Sequence, residues 1–404
     1  MDIEKKILIL KEHQEVWTYI IEKDEIVEIH YESTSDSKET LHQVGNVYIG
    51  KVKKIVKNIG AAFVEIEPGL ECYYDLNQAS TAIFTSKAGK KPLAVSDELV
   101  VQLSKEGIKG KAPTVTSELS FTGYYTVLTT GNTRMGVSAK IPKNQREELK
   151  EFLQEYENNE YGIILRTNGK DAPIDLIKDE IKGQIKTYKH LKNSALMRTC
   201  FSILKKAPPH YITNIRNVYG KGLSKILVND QRIVDEITEF YEAYNFTHAP
   251  MIQMEDEKSV DLSSLFNTRK VLQRALNEKV WLKNGAYLVI QPTEALTVID
   301  VNSGKYEKKE TDQEAALKVN LEAAMEIAKQ LRLRNISGII IVDFINMENE
   351  EDLEQLVKEL KQHLSKDNVQ TTFVDVTKLQ LVEITRKKIR KTLLETLTLA
   401  NKKV

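Results

Sequence analysis

Two apolar runs that each end in an aspartate constrain the fold of this 404-residue chain more than any other feature. The first begins at Ala295 and ends at Asp300, and the second begins at Gly338 and ends at Asp343. Both read as buried strands, and the segment between them has the periodicity of an amphipathic helix. A strand, a helix and a second strand in one sheet almost always form a right-handed parallel unit, so both strands are expected to end at the same sheet edge. The two carboxylates would then lie where open α/β sheets bind their ligands.

Paired carboxylates at a sheet edge suit a hard divalent cation such as Mg²⁺, which prefers oxygen ligands. An ion held there could orient a water against a phosphodiester, so the pattern indicates phosphate chemistry. Asn302 is placed to orient the Asp300 carboxylate or to donate to a phosphate oxygen, and Gly304 allows close approach of backbone to a ligand. The alternative is that each aspartate only caps the turn after its strand. Their joint placement on one predicted parallel pair favours the metal site.

Residues 45–121 carry short β-type runs that are interrupted by glycines and rich in lysines and aromatic residues. Bent strands of this kind are typical of an OB-type barrel, which stacks nucleic-acid bases on exposed rings. The alternative is that most of the aromatic side chains belong to the barrel core and that the lysines are merely solvated. The aromatic residues concerned are Tyr48, Phe63, Tyr73 and Tyr74.

Two further patterns flank the aspartate strands. Before them, Asn284-Gly285 between apolar runs predicts a β-hairpin with a type I′ turn. After them, residues 378–403 form a strongly basic block that contains Arg386 and Lys387. A charged helix face and contacts with a phosphate backbone both explain this block.

Composition excludes several classes of protein. Lysine plus arginine and aspartate plus glutamate each number 58, so any contact with a polyanion must come from local basic patches. The chain has no P-loop, no G-x-G-x-x-G and no readable Ser-His-Asp arrangement, which disfavours kinases and nucleotide-binding oxidoreductases. Cys72 and Cys200 have no pairing or zinc-binding spacing, which is typical of a reducing compartment. The N-terminal apolar run is too short for a signal peptide or membrane span, so a cytoplasmic location is predicted.

Several motifs resemble those of the RNase E/G family of endoribonucleases, most densely over residues 280–347. These motifs are Gly45-Asn-Val-Tyr-Ile-Gly-Lys-Val52, Ala61-Ala-Phe-Val64, Val280-Trp-Leu-Lys283, Gln291-Pro-Thr-Glu-Ala-Leu-Thr-Val-Ile-Asp-Val-Asn-Ser-Gly304, Asn320-Leu-Glu-Ala-Ala324, Ile327-Ala-Lys-Gln-Leu-Arg-Leu-Arg334, Val342-Asp-Phe-Ile345 and Ile384-Thr-Arg-Lys387.

The resemblance implies a multidomain fold of the α+β and α/β classes. An RNase H-like scaffold would be split between residues 1–44 and 212–275. An OB-fold RNA-binding domain would occupy residues 45–121, and a region that senses the RNA 5′ end would occupy residues 122–211. A DNase I-like α/β catalytic domain would occupy residues 276–404.

The resemblance also implies an activity and a set of site residues. The family hydrolyses single-stranded, often A/U-rich RNA and leaves a 5′-phosphate and a 3′-hydroxyl, in RNA processing or decay. Asp300 and Asp343 would hold Mg²⁺, with Mn²⁺ as the alternative ion, and Asn302 would support them in catalysis. The residues that match the RNA-binding surface are Phe63, Tyr73 and Lys109. The residues that match the pocket for a 5′-monophosphate are Gly123, Val127, Arg166 and Thr167.

The sequence departs from the family pattern at three places. Gln370 stands nearest to an arginine that the family brings to the 5′ sensor, and Asn346 replaces an aspartate in the second aspartate motif. The Cys-Pro-x-Cys zinc link is missing, so neither structural zinc nor a zinc-linked dimer is expected. The oligomeric state stays open between a monomer, a dimer held by other contacts and the truncated core of a longer product.

Two other functions remain open at this point. An RNA-binding relative of the same fold without useful activity would retain the fold and the RNA-binding surface. A metal phosphoesterase that acts on small substrates would use the two aspartates, but it leaves the barrel and the basic block unexplained.

Overall fold

The computed structural model describes residues 4–33, 42–85, 92–107, 111–218, 222–243, 250–255, 261–304 and 312–401. The chain divides into two compact units. The first consists of Ser33–Leu223 and Arg232–Met251, and the second of Ile3–Glu32, Ser224–Gln231 and Ile252–Val404. Within the described stretches, every helix is too short or too polar to cross a membrane.

The fold is a mixed α/β fold. The strands are β1 (Lys5–Glu12), β2 (Glu15–Glu22), β3 (Glu25–Ser33), β4 (Val47–Val56), β5 (Ala61–Glu67), β6 (Leu70–Asp75), β7 (Glu98–Lys105), β8 (Thr114–Thr116), β9 (Ser120–Thr122), β10 (Thr126–Thr129), β11 (Gly136–Val137), β12 (Gly162–Leu165), β13 (Ile203–Lys205), β14 (Leu223–Val228), β15 (Met251–Met254), β16 (Lys279–Trp281), β17 (Tyr287–Pro292), β18 (Leu296–Asn302), β19 (Gly338–Asp343), β20 (Thr371–Val376) and β21 (Leu381–Arg386). The α-helices are α1 (Lys143–Gln154), α2 (Ile174–Ala195), α3 (His210–Asn217), α4 (Gln231–Ala243), α5 (Leu262–Leu265), α6 (Thr268–Leu276), α7 (Asp312–Leu333), α8 (Glu350–Leu364) and α9 (Leu393–Asn401).

The first unit contains a closed β-barrel. Strands β4, β5 and β6 form an antiparallel meander, β6 pairs in parallel with β8, and β8 pairs with β7. Strand β7 returns to β4 and closes the barrel, as the OB-type prediction required. A Cβ atom at Gly50 would lie 2.5 Å from the Val64 side chain, so a glycine there lets the strands cross closely. The barrel core includes Tyr48 and Tyr74, which are 2% and 0% exposed.

A smaller sheet in the order β11-β12-β10-β9 follows the barrel in the first unit. Helix α2 packs on this sheet through Ile177, Ile181 and Leu191. The Glu180 carboxylate on the same helix accepts hydrogen bonds from the backbone N–H groups of Tyr124, Tyr125 and Thr126. The turn between β9 and β10 is therefore fixed to the helix.

The second unit contains a sheet that joins distant parts of the sequence, in the order β15-β14-β1-β2-β3. Strands β1 and β2 pair from Lys5–Glu22 to Glu12–Glu15 and bury Leu8, Trp17 and Ile21. The same core includes Ala275 of α6 and Leu333 at the end of α7.

A second sheet of the same unit carries both aspartate strands, in the order β16-β17-β18-β19-β21-β20. Strands β18 and β19 are parallel and are connected through α7, as predicted, whereas their neighbours in the sheet are antiparallel. Helices α7 and α8 cover one face of this sheet, where Ile299 and Val342 are fully buried.

The other face of this sheet is called the open face below. The sequence predicted that β18 and β19 would be buried strands, but they are buried on one face only. Residues alternate along β18 and β19, so that Val298 and Ile341 are half-buried while Asp300 and Asp343 are exposed. Alternation is the rule for sheets that bury a single face. An unbroken apolar run in the sequence does not distinguish this case from a strand buried on both faces.

Two other local predictions are wrong in detail. The β16–β17 hairpin exists, but its turn is longer than the predicted type I′ turn, because the Leu282 N–H still pairs with the Ala286 carbonyl and residues 283–285 form the loop. Gly285 has a φ of 88°, whereas Asn284 does not adopt the positive φ that a type I′ turn requires. Instead, the Asn284 side chain accepts a hydrogen bond from the Ala286 N–H. The basic block is not one helix face, since it begins before β21 and reaches α9 only after a connecting loop.

Candidate active site and RNA-binding surface

Asp300 and Asp343 are direct partners in the pairing of β18 with β19. Adjacent strands lie about 4.8 Å apart, so the two backbone positions are neighbours and both side chains point to the open face. Both residues are exposed, and Asp343 is the last residue of β19 while Asp300 lies two residues before the end of β18. The structure thus brings together the two carboxylates that the sequence places at one sheet edge.

Asn302 lies two residues beyond Asp300 on the same face, and its Nδ2 donates to Asp300 Oδ2 at 2.7 Å. This hydrogen bond orients the carboxylate, which was one of the two predicted roles of the amide. Gly304 contacts protein rather than open space, because a Cβ atom there would lie 2.5 Å from the Gly285 carbonyl oxygen. Its φ of 58° is in the left-handed region, so a glycine is needed where β18 leaves the sheet beside the hairpin.

Asn320 on α7 is a further residue that shapes the site and that sequence reasoning missed. Its side chain is fully buried and pairs with the backbone of Ile345, donating to the carbonyl at 2.8 Å and accepting from the N–H at 3.0 Å. The loop after Asp343 is therefore fixed to the helix, and the buried Phe344 and Met347 side chains anchor it in the core. One signal in the sequence could have indicated this role, because Asn320 is an amide on the otherwise apolar face of a predicted helix.

The donor set fits a hard divalent cation. The two carboxylates and the amide oxygen of Asn302 offer oxygen atoms only, which Mg²⁺ and Mn²⁺ prefer. Across the residues that the structure describes, His, Cys, Asp and Glu form no group of three or more that could hold a metal. A cation at Asp300 and Asp343 would have room for water and substrate oxygens among its ligands, which is common for Mg²⁺.

The barrel exposes a row of residues suited to nucleic acid. Phe63 on β5 pairs directly with Tyr73 on β6, and both rings are half-buried. Lys54 on β4 pairs with Phe63 on its other side and is exposed. Tyr48 and Tyr74 are core residues, whereas Phe63 and Tyr73 reach the barrel surface. Each of the two interpretations of the aromatic residues is therefore right for part of the set. Lys109 lies outside the described residues.

Of the four residues predicted for the 5′-phosphate pocket, Arg166 and Thr167 directly follow β12, Gly123 lies in the turn before β10, and Val127 lies within β10. Arg166 donates from Nη1 to the Gly123 carbonyl at 2.7 Å and from Nη2 to Asn217 Oδ1 at 2.8 Å. Thr167 Oγ1 lies 2.9 Å from Ser138 Oγ, and Val127 is a half-buried residue of β10. Arg166 and Gly123 are thus in direct contact. Asn217, which orients the guanidinium, gave no signal in the sequence.

The sequence of this chain is similar to those of known proteins. Residues 120–389 match the family model described as the Ribonuclease E/G family. Ribonuclease E of Nostoc sp. is 29% identical over 391 residues, which cover 95% of this chain and 56% of that protein. Ribonuclease E of Synechocystis sp. is 30% identical over 390 residues, which cover 95% of this chain and 57% of that protein. The chain thus spans a little over half the length of these two relatives.

A third relative is covered more completely. Ribonuclease G of Escherichia coli is 30% identical over 365 residues, which cover 87% of this chain and 74% of that protein. The family match covers well over half of the chain and includes both aspartate strands. On these grounds the chain belongs to the ribonuclease E/G family.

Proposed function

We propose that this chain is a metal-dependent endoribonuclease that cleaves single-stranded RNA in RNA processing or decay. The observation that carries the proposal is the direct pairing of Asp300 with Asp343 on the open face of a sheet in a member of this family. A/U-rich RNA as substrate, a 5′-phosphate and a 3′-hydroxyl as products, and the cytoplasm as location belong to the same proposal. The proposal also includes the division into an RNase H-like scaffold, an OB-fold domain, a 5′-sensor region and a DNase I-like catalytic domain that is given above.

In this proposal each residue of the site has a defined task. Asp300 and Asp343 would hold Mg²⁺, which supplies Lewis-acid stabilisation of the phosphoryl oxygens and lowers the pKa of a bound water. Asn302 keeps the Asp300 carboxylate in one orientation through its hydrogen bond. Asn320 fixes the loop that follows Asp343. The exposure of both carboxylates leaves room for a phosphodiester beside them.

We propose two RNA contacts away from the carboxylates. Phe63, Tyr73 and Lys109 would bind single-stranded RNA on the barrel, where the pairing of the two half-buried rings supports stacking with bases. Gly123, Val127, Arg166 and Thr167 would receive a 5′-monophosphate, because a guanidinium and a threonine hydroxyl are suitable donors to phosphate oxygens. The hydrogen bonds from Arg166 to Gly123 and Asn217 support a preset orientation of that guanidinium.

The test is cleavage of an end-labelled, A/U-rich single-stranded RNA in the presence of Mg²⁺. Asp300→Asn and Asp343→Asn should each lower the rate by at least about a hundredfold, because even residues that only hydrogen-bond a metal ligand cost about 10–100-fold when replaced. Asp179→Asn is the matched control, since the Asp179 side chain is 72% exposed on α2 and should not affect the rate. Affinity for the RNA, measured by fluorescence anisotropy in EDTA, should stay close to the wild-type value in all three variants.

The competing functions predict different results. An RNA-binding relative without activity would bind the RNA and leave it uncut in the wild type. Equal cleavage by the wild type and both aspartate variants would point to a contaminating nuclease and refute the site. A phosphoesterase for small substrates would hydrolyse small phosphodiesters in preference to long RNA.

A further inference from the structure

A second aromatic cluster, formed by Lys279, Trp281 and Tyr287, lies on the sheet that carries the two aspartates. The Trp281 side chain is 59% exposed although it is the largest apolar side chain of the hairpin. Its ring centroid lies 5.2 Å from that of Tyr287, with 57° between the ring planes. Lys279 Nζ lies 4.2 Å from the Trp281 ring centroid and 3.5 Å from the Tyr287 ring centroid. One ammonium group thus holds both rings in a cation–π contact.

The pairing of the strands places this cluster on the same open face as the carboxylates. Trp281 pairs with Tyr287, and Tyr287 pairs with Asn302. Along the adjacent row, Lys279 pairs with Val289, Val289 with Asp300, and Asp300 with Asp343. Residues in direct register point to the same face, so two strand spacings of about 4.8 Å each separate the backbone of β16 from that of β18.

The hairpin that carries the cluster is fixed to the rest of the unit. The Lys283 N–H donates to Glu322 Oε1 of α7 at 2.6 Å, and Leu282 and Ala286 are buried in the core. Gly304, two residues after the end of β18, packs against the Gly285 carbonyl oxygen of the turn. The cluster is therefore held in a constant position relative to Asp300.

A lysine on the edge strand β16 would by itself protect the sheet edge from aggregation. That role does not need an exposed indole next to it. A single exposed apolar side chain is common, but Trp281 is part of a cluster with a second ring and a cation, on the face that carries both carboxylates. An aromatic face with a cation beside it suits single-stranded nucleic acid, in which every base offers a π-face and every phosphate a negative charge.

We propose that Trp281 stacks a base of single-stranded RNA next to the phosphate that is cleaved at Asp300 and Asp343, and that Lys279 contacts the phosphate backbone there. This subsite rests on the proposed function, because it assumes that the carboxylates mark the cleavage position. It is separate from the barrel row at Phe63 and Tyr73.

The first test uses the intrinsic fluorescence of Trp281 with the cleavage step disabled by Asp300→Asn. The chain has two tryptophans, and the other, Trp17, is 8% exposed in a different core. A/U-rich single-stranded RNA should quench the emission in a saturable manner, and the quenching should disappear when Trp281→Phe is added. Fully base-paired RNA should not quench, since its bases are already stacked. RNA binding by anisotropy without any change in emission would overturn the subsite.

The second test compares kinetic parameters of Trp281→Ala and Trp281→Phe. Base–aromatic stacking typically contributes about 1–3 kcal/mol, so the alanine variant should raise KM by about fivefold to about 140-fold, and the phenylalanine variant should have a KM close to that of the wild type. Ile339→Ala is the control, because Ile339 is 50% exposed on the same open face at the opposite end of β19. An RNA that lacks the base beside the cleaved phosphate should abolish the difference between wild type and Trp281→Ala.

The two tests separate failure of the subsite from failure of the proposed function. If the wild type does not cleave but the RNA still quenches Trp281, the proposed function fails while stacking on Trp281 stands. If the wild type cleaves while Trp281→Ala keeps the wild-type KM, the function stands and the subsite is refuted.

Discussion

Arg386 shows how one residue of a basic block becomes part of the core. Its side chain is buried, donates from Nε to Asp367 Oδ2 at 2.7 Å and contacts Asn335 Oδ1 through Nη1. Asp367 is equally buried and accepts a further hydrogen bond from Thr371. This arginine therefore stabilises the end of β21 and is not a ligand for phosphate.

Arg386→Leu should destabilise the protein strongly. It removes the guanidinium that pairs with the buried Asp367 carboxylate, and breaking a buried ion pair costs about 3–5 kcal/mol. Lys387→Ala, at the exposed neighbouring position, should change the free energy of unfolding by no more than about 0.5 kcal/mol. Urea-induced unfolding measures both values, and similar stability of the two variants would show that the ion pair does not stabilise the fold.

At the scale of elements, one ion-pair network links the first sheet of the second unit to the crossover helix α7. Arg332 Nη2 lies 2.7 Å from Glu28 Oε1 of β3 and 2.9 Å from Glu22 Oε1 of β2. Burial alone would raise the pKa of Glu28, but the hydrogen bond with His30 and the charge of Arg332 outweigh it and lower the pKa to about 2 from 4.5. The folded protein thus binds a proton at Glu28 more weakly than the unfolded chain does.

This pKa shift predicts the pH dependence of stability. Because the pKa of Glu28 is lowered by folding, its stabilising effect is complete above about pH 4.5 and is lost as the pH falls toward 2. Glu28→Gln should lower the free energy of unfolding near neutral pH by on the order of 3 kcal/mol, and the difference from wild type should shrink below pH 4.5. Asp24→Asn, whose side chain is 80% exposed, is the control. Parallel stability curves for wild type and Glu28→Gln would contradict the prediction.

The sequence predicted some of these elements for clear physical reasons. The parallel pair β18–β19 was predictable because the chirality of a strand–helix–strand unit leaves one common solution. The closed barrel was predictable from glycines such as Gly50, which mark where strands cross closely. The burial of a single face of the sheet that carries the two aspartates was not predictable, because it depends on which helices cover the sheet. The roles of Asn320 and Arg386 depend on contacts 25 and 19 residues away, which no local pattern contains.

At the scale of the whole molecule, the proposed tasks are divided between the two units. The row of Phe63 and Tyr73 belongs to the first unit, and the two aspartates belong to the second. A residue that only binds RNA should affect affinity, whereas a residue that holds the metal should affect the chemical step.

Phe63→Ala and Tyr73→Ala should therefore raise KM for a long single-stranded RNA with little change in kcat. Each ring that stacks on a base typically contributes about 1–3 kcal/mol, which corresponds to about fivefold to about 140-fold in KM. Leu265→Ala, at a residue that is 62% exposed in the second unit, is the control. Steady-state kinetics measure both parameters. A fall in kcat with constant KM would show that the rings act in the chemical step and not in binding.

The direct register between Asp300 and Asp343 sets how insertions and deletions can accumulate in this protein. Side chains alternate between the faces of a strand, so loss of one residue within β19 before Asp343 would turn that carboxylate toward the covered face and Val342 toward solvent. A change of length in the turn between β17 and β18 leaves the pairing of β18 with β19 intact. Length variation among relatives is therefore expected in the turns of this sheet and excluded from its two central strands.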